Sequence, residues 1–415
     1  MGEGTPRATG QRWVKSIIPF KVADGTSGPV IPLYAHSLGL SLSQIGFMEA
    51  GFSLASIIGG FLWGRASDEL RKRKAFLLLG FGGIAVVLLL LAFATTPAQL
   101  TALRVLHGFF LAAFVSVSVA LLIERSRKER FGEDMGYLNM IGGYALIGGM
   151  ALGAAALVFV DIPYLLLAAA LLTLASLVVA FYAIEEPEAF LRRRDIHVLL
   201  ADRFIPALNA FVQRRLFNPT SLVQRPRMTP VRRRILAYLL ALFVAMLGGV
   251  ATFALFPVLL LDAYGASPVQ AILVLLAGSL FSAVLYRPVG RMADHLGFRR
   301  TLTLGLGLRT VVFVLMALSL VLVPSLLFVT GVNLLAGATW AFIMTAGPTA
   351  LFRAMDVQRR GEMMGYYNLF MALGSAVGAI VGGLLAVFSG YLPLLVFSGV
   401  ATGLSTVAIW RLNLE

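Results

Sequence analysis

Apolar runs of about twenty residues recur twelve times along this chain, and no other property limits its fold as much. A helix needs roughly 20 apolar residues to cross ~30 Å of hydrocarbon, and it satisfies every backbone N–H and C=O within its own segment. On that ruler the spans fall at about 15–37, 43–64, 75–94, 98–123, 135–159, 163–184, 235–262, 267–288, 301–322, 325–351, 363–388 and 391–411. Charged residues make up 13% of the 415 and apolar residues 59%. A water-soluble globule carries about a quarter charged residues, so that class is excluded. The expected fold class is an all-α integral membrane protein with twelve transmembrane helices.

The chain also repeats itself. Gly64-Arg65-Ala66-Ser67-Asp68-Glu69-Leu70, followed by Arg71, Lys72, Arg73 and Lys74, joins the second and third spans. Gly290-Arg291-Met292-Ala293-Asp294-His295-Leu296-Gly297, followed by Phe298, Arg299 and Arg300, joins the eighth and ninth, at an offset of 226 (290 − 64 and 294 − 68). Gly39-x-Ser41-x-x-Gln44 returns as Gly265-x-Ser267-x-x-Gln270 at the same offset, and Pro32 returns as Pro257 at 225. Arg130-Phe131-Gly132-Glu133 through Tyr137-Leu138-Asn139 returns as Arg359-Arg360-Gly361-Glu362 through Tyr366-Tyr367-Asn368 at 229. Such an internal duplication predicts two pseudo-symmetric six-helix bundles.

The paired loops resemble the signature of the major facilitator superfamily, Gly-x-x-x-Asp-Arg-x-Gly-Arg-Arg. The second copy keeps the later glycine, Gly297. The first has Glu69 for the usual Arg and Arg71 for the usual Gly, so its turn is expected to be built differently. The resemblance covers nearly the whole chain. It implies domains at 1–184 and 235–415 joined by a cytoplasmic linker at 185–234, a central site between them, and secondary transport by alternating access. It also implies a cytoplasmic gate motif: Gly64, Arg65, Asp68, Arg71, Arg73, Gly290, Arg291, Asp294, Gly297, Arg299 and Arg300.

Orientation follows from Lys and Arg. Loops after spans two, four, eight and ten hold Arg71 to Lys74, Arg125 to Arg130, Arg291 to Arg300 and Arg353 to Arg360. The loops after the odd-numbered spans carry no Lys or Arg and offer only Asp161 and Asp262. By the positive-inside rule both termini are expected to be cytoplasmic, in a multi-pass protein of the cell's inner or plasma membrane. The net charge of +14 therefore reflects loops held at one membrane face, not nucleic-acid binding. Residues 1–13 are polar, so no cleaved signal peptide is expected. Residues 185–234 carry eleven Arg against five acids. Ile205, Leu208, Phe211, Val212 and Leu216 within them recur at helical spacing, which fits either an amphipathic helix on the inner leaflet or a solvated tether.

Several chemistries are excluded or unsupported. Cys is absent, which rules out disulfides and thiolate chemistry. The four His show no metal-ligand spacing, there is no phosphate-cradling Gly-x-x-x-x-Gly-Lys motif, and no nucleophile sits beside an acid–base pair. No cofactor, no metal and no enzyme activity is expected, and a monomer is the expected unit.

Ionisable groups inside spans are functional suspects, because each costs several kcal/mol unless paired or wetted. The first half has Lys21, Asp24, Glu49, Arg104 and His107; the second has Arg309. Lys21 is expected to snorkel toward the nearby membrane face. Counting 1.5 Å per residue puts Asp24 ~14 Å from the inner face and both Arg104 and Glu49 ~9 Å from the outer one, leaving either acid within reach of the Arg. Arg104-Val105-Leu106-His107-Gly108 is similar to a second superfamily element, Arg-x-x-Gln-Gly in helix four. The resemblance implies that Arg104 works with Asp24 or Glu49 in proton transfer. Beside the Arg an acid stays ionised; withdrawn from it into an apolar site, it takes up a proton. The alternative is an ion pair that only locks helix packing. Asn139, Asn333, Trp340, Tyr367 and Asn368 are candidates for the substrate cavity, while Tyr137 and Tyr366 suit interfacial anchors. The glycines of span five (Gly142, Gly143, Gly148, Gly149, Gly153) and span eleven (Gly374, Gly378, Gly382, Gly383) suit close helix packing. Span five resembles the glycine-rich helix-five element of antiporters, without its usual Pro. The expected function is proton-coupled export of a small organic solute, with symport or facilitated uptake of a sugar or other metabolite as the alternative, and a non-transporting sensor as a different class.

Overall fold

The computed structural model describes residues 12–70, 72–125, 131–184, 230–322, 324–353 and 360–412, and all regular structure among them is helical. A short 3-10 turn at Arg12–Ser16 leads into α1 (Ile17–Ser27) and α2 (Val30–Ser37). The first half continues with α3 (Leu42–Leu70), α4 (Arg73–Leu91), α5 (Pro97–Arg125), α6 (Phe131–Ala156) and α7 (Ile162–Ala183). The second half holds α8 (Pro230–Phe253), α9 (Phe256–Tyr264), α10 (Pro268–Leu296), α11 (Phe298–Leu322), α12 (Leu326–Arg353), α13 (Arg360–Ser389) and α14 (Tyr391–Arg411). Eleven of these are long and apolar enough to cross a membrane, and α1 with α2 makes the remaining pass. The amphipathic stretch expected at residues 205–216 lies outside the described residues, as does Arg71.

The first and seventh passes differ from the unbroken spans expected at 15–37 and 235–262. Each is interrupted, at Gly28-Pro29 and at Ala254-Leu255, positions 226 apart (254 − 28). Proline is the cause in both. It lacks an N–H and its ring crowds the carbonyl four residues back, so a helix stops there and restarts with proline in its first turn. Pro257 lies four residues beyond Phe253, where α8 ends, and Pro29 and Pro32 flank the restart at Val30.

The repeated Gly-x-Ser-x-x-Gln has an equally local explanation. Gly39 and Gly265 both take a left-handed backbone (φ 81° and 63°), which favours glycine. Each is followed by a reciprocal cap. Ser41 N–H donates to Gln44 Oε1 at 2.8 Å while Gln44 N–H donates to Ser41 Oγ at 3.3 Å. Ser267 and Gln270 repeat this at 2.8 and 3.2 Å. The motif is a helix stop and a capping box in sequence, opening α3 and α10. The other loop pair does diverge as expected. Gly297 closes α10 at φ 84°, whereas Lys72 precedes α4 at φ −117°.

Each half packs through glycines 229 residues apart. Gly149 and Gly153 of α6 lie against Val22 and Thr26 of α1, and Gly378 and Gly382 of α13 lie against Leu247 and Ala251 of α8. At Gly149, Gly378 and Gly382 the helix backbones approach too closely for a larger side chain, while Gly153 packs at ordinary contact distance.

The halves meet along a seam made by α3 against α13 and α6 against α10. We call the end of the molecule bearing Arg65 and Arg291 the basic end and the opposite one the acidic end. The contacts gather toward the acidic end. A Cβ at Gly383 of α13 would lie 2.8 Å from Leu42 O and 2.9 Å from Ser43 Cα of α3. Ala50 packs with Val250, Ala254, Ala376 and Ala379, and Val30, Leu33 and Ala154 pack with Leu261, Val269 and Ile272. Toward the basic end, the cluster containing Tyr238, Leu302, Ile343 and Tyr367 stays within the second half. His36 of α2 reaches across the acidic end to Asp262 of α9 (Nε2–Oδ1 3.2 Å), and Tyr391 of α14 donates to Asp262 Oδ2 at 2.7 Å.

Candidate functional site

Arg104 on α5 lies beside α3, and its guanidinium takes Glu49 as a fork: Nε donates to Oε1 and Nη2 to Oε2, both at 3.0 Å. The side chains are only 8% and 13% exposed, so the pair is largely buried. The close crossing of α5 and α3 sets this geometry. Gly108 lies one turn beyond Arg104, directly against Phe52 O, where even a methyl group would collide. Two further groups complete the surroundings of Arg104. His107 Nδ1 stands 3.1 Å from Nη1, which requires that nitrogen to accept and places the ring proton on Nε2. The Phe52 ring lies under the guanidinium, 4.0 Å from Cζ to centroid. Of the two acids in view from the sequence, Glu49 is the one hydrogen-bonded to Arg104.

Asp24 has a different partner. Lys21, one turn earlier on α1, donates to its Oδ2 at 2.9 Å. Lys21 therefore does not snorkel to the membrane face. Its ammonium sits between Asp24 and the rings of Phe20 and Phe114, 5.5 and 5.6 Å from their centroids. The pair is more open than the first, at 24% and 21% exposed. Arg104 lies near enough for its charge to act on Asp24, so Asp24, Arg104 and its partner Glu49 belong to one electrostatic cluster, with the neutral His107 beside it.

Among the described residues the second half has no such cluster, and its sole buried charge is Arg309 on α11. Residue 333, the duplicate of Arg104, is Asn333. Its amide donates to Val274 O at 2.7 Å and packs on Gly278, tying α12 to α10. Tyr367 is buried against Gly347, and Trp340 is half-buried beside the same cluster. Asn139 and Asn368 are exposed.

The gate residues fall around two helix ends. Gly64 and Gly290 face Ser116 and Thr345, and Arg65, Arg291 and Arg300 are exposed. Arg73 donates to Ser67 Oγ at 2.6 Å and Arg299 to Leu412 O at 3.4 Å. The side chains of Asp68 and Asp294 lie outside what is described.

The match to known proteins agrees with this architecture. The family model described as Major Facilitator Superfamily matches residues 20–259 and 238–415. The chain belongs to the major facilitator superfamily. It is 27% identical to the multidrug resistance protein MdtG of Yersinia enterocolitica, over 88% of this chain and 83% of that one. It is equally similar, at 27%, to MdtG of Enterobacter lignolyticus over 91% and 87%. Among solved structures, that of a point mutant of the nucleoside transporter NupG superposes with a TM-score of 0.70 at 14% identity, covering 97% and 98% of the two chains. The human organic anion transporter MFSD10 (TETRAN) superposes at 0.66 and 18%, covering 98% and 100%. The protein is thus a multi-pass membrane transporter of this superfamily.

The sequence does not disclose the contact of His36, Asp262 and Tyr391. Asp262 stands out only as an acid in a loop free of Lys and Arg, and nothing in the spacing links it to His36.

Proposed function

We propose that this superfamily member exports small organic solutes in exchange for protons. Its basic loops and both termini face the cytoplasm of a cell whose inner or plasma membrane it spans. Residues 185–234 tether two domains that rock about the seam, and a single chain is the working unit. In that orientation the closed acidic end is the outer one, and the arrangement described is the inward-facing member of an alternating-access cycle. The gate motif then belongs to the inner face, and the solute site to the space between the halves.

The observation that carries this reading is the charged cluster confined to the first half. Glu49 is held by both oxygens, so it serves as the fixed counter-charge of Arg104. Asp24 is held by one oxygen, partly exposed, and paired to a lysine on its own helix. It is the acid free to change partners, since a change of rotamer carries the long Lys21 side chain away from it. With Lys21 at hand it is ionised; with Lys21 withdrawn, a proton takes the place of the ammonium. Coupling requires only that this exchange differ between the two arrangements of the halves. The similarity to multidrug resistance proteins supports export as the direction.

In proteoliposomes, Asp24→Asn should abolish solute accumulation driven by a pH gradient and leave exchange at equal concentrations intact. If Asp24→Asn and Glu49→Gln both retain gradient-driven accumulation, proton coupling through this cluster is wrong. If single variants lose folding together with every mode of transport, the pairs are structural.

A further inference from the structure

Arg309 is the second half's counterpart to Arg104 in burial but not in company. The two guanidiniums are 7% and 6% exposed by residue and both lie over a phenylalanine, Arg104 on Phe52 and Arg309 on Phe253, the latter at 4.2 Å. Arg104 gives its Nε–Nη2 edge to the two oxygens of Glu49. Arg309 uses only Nη1, which donates to Ala336 O at 3.0 Å and to Thr339 Oγ1 at 2.9 Å. Its Nε is buried with no partner, and no acidic side chain among the described residues pairs with it. The edge that accepts a carboxylate in the first half thus faces none in the second.

The direction of that edge is informative. Nη2 lies 3.8 Å from where a Cβ would stand on Gly249 of α8. Gly249 and Phe253 are one turn apart on the same helix face. The adjoining face carries Val250 and Ala254, which pack with Ala376 and Ala379 of α13 and, across the seam, with Ala50 of α3. Glycine at 249 leaves α8 without a side chain where it faces Nη2, one position from Val250 at the seam. The duplicate of Asp24 falls at this same place (24 + 225 and 24 + 226), on Gly249 and Val250. Where the first half presents an acid, the second presents the edge of a cation behind a gap.

We propose that this edge binds the acidic group of a transported solute, a small organic acid with an apolar body, through two parallel N–H···O bonds. An uncompensated guanidinium in an apolar interior is strongly unfavourable, and a planar two-oxygen anion matches its free edge. The apolar body would lie against the ring of Phe253, and against Val250 once its seam contact with Ala50 opens. The proposal rests on the transport reading above and adds its substrate class.

The test uses the purified full chain in detergent, with benzoate and cyclohexanecarboxylate as probes and the matching amides as neutral controls, followed by tryptophan fluorescence and melting temperature. The acids should bind on the order of tenfold or more tighter than the amides, the range expected for hydrogen bonds to a charged group. Arg309→Gln should erase that preference. Gly249→Ala, whose methyl group fits at ordinary contact distance from Nη2, should weaken it several-fold with melting unchanged, and it decides the matter if Arg309→Gln does not fold. Equal binding of acid and amide by the native chain overturns the proposal. So does an unchanged preference in folded Arg309→Gln, or an equal response to chloride, which would mark a mere counter-ion. The transport reading is separable: a pH gradient that drives neutral or cationic solutes but never acids sinks only the anion site, whereas a gradient that moves no solute sinks the transport reading itself.

Discussion

His36 Nε2 stands 3.2 Å from Asp262 Oδ1, and the two residues belong to different halves of the molecule. Tyr391 holds the other carboxylate oxygen, so Asp262 is anchored within the second half and offered to the first. The side chains are 35% and 33% exposed, so the pair is a weak one, worth about 0.2–1 kcal/mol. That is enough to bias two arrangements of nearly equal energy. Asp262→Asn should shift the population toward opening at this end by about 1.5- to 5-fold, the ratio those energies imply. Distances between spin labels at Ser37 and Ala263 would read it. An unchanged distribution would mean the contact has no part in closure.

Two adjacent glycines should respond in opposite ways. Gly382 packs inside the second half against Ala251, while Gly383 packs across the seam against Leu42 and Ser43. Gly382→Ala is expected to lower stability by about 1–3 kcal/mol, the usual cost of overpacking. Gly383→Ala should leave the melting temperature nearly unchanged and hold the halves apart at the acidic end. Thermal melts alongside the same label pair would separate the two effects.

The Arg104–Glu49 fork predicts that losing both charges is tolerated better than losing the acid alone. Glu49→Gln alone strands a buried cation, at a cost of about 3–5 kcal/mol. Arg104→Met combined with Glu49→Gln removes both charges and should be more stable than Glu49→Gln by itself. Arg104→Lys should melt lower than the native chain, because an ammonium cannot reproduce the two parallel bonds. Melting of the four proteins in one detergent is a sufficient check.

Much of this cluster is legible in the sequence, and the reasons are physical. Charged side chains inside apolar spans are conspicuous, and helical rise alone puts Arg104 and Glu49 at one depth. Depth misplaces Lys21 because it says nothing of rotation about the helix axis: the position allows a route to the membrane face, and the ring faces of Phe20 and Phe114 turn the side chain toward Asp24 instead. The repeats tell the order of helices, and the Gly-x-Ser-x-x-Gln echo proves to be two identical caps. The interruptions of the first and seventh passes escape a hydropathy reading because Pro29, Pro32 and Pro257 sit in stretches apolar enough to pass as continuous spans. The His36–Asp262 contact is beyond reach of the sequence, since it depends on which end of the seam is closed.

At the basic end, Asp68 and Asp294 stand at helix ends beside arginines, where a carboxylate can accept backbone N–H groups from a neighbouring helix. If they latch the two halves in the opposite arrangement, Asp68→Asn should favour the one described here. Label pairs across the basic end should then report longer distances, and identical distances in Asp68→Asn and Asp294→Asn would leave these loops with an orienting role alone.

The broken first and seventh passes have a mechanical consequence. α2 and α9, of eight and nine residues, are each about 12–14 Å long, less than half the hydrocarbon depth. Each is a short lever on a proline pivot, and the two levers touch through His36 and Asp262. Neither needs to carry the remainder of its pass with it. If the halves rock as proposed, a tilt of the two stubs would be enough to close or open this end, a smaller movement than the swing of two six-helix bodies.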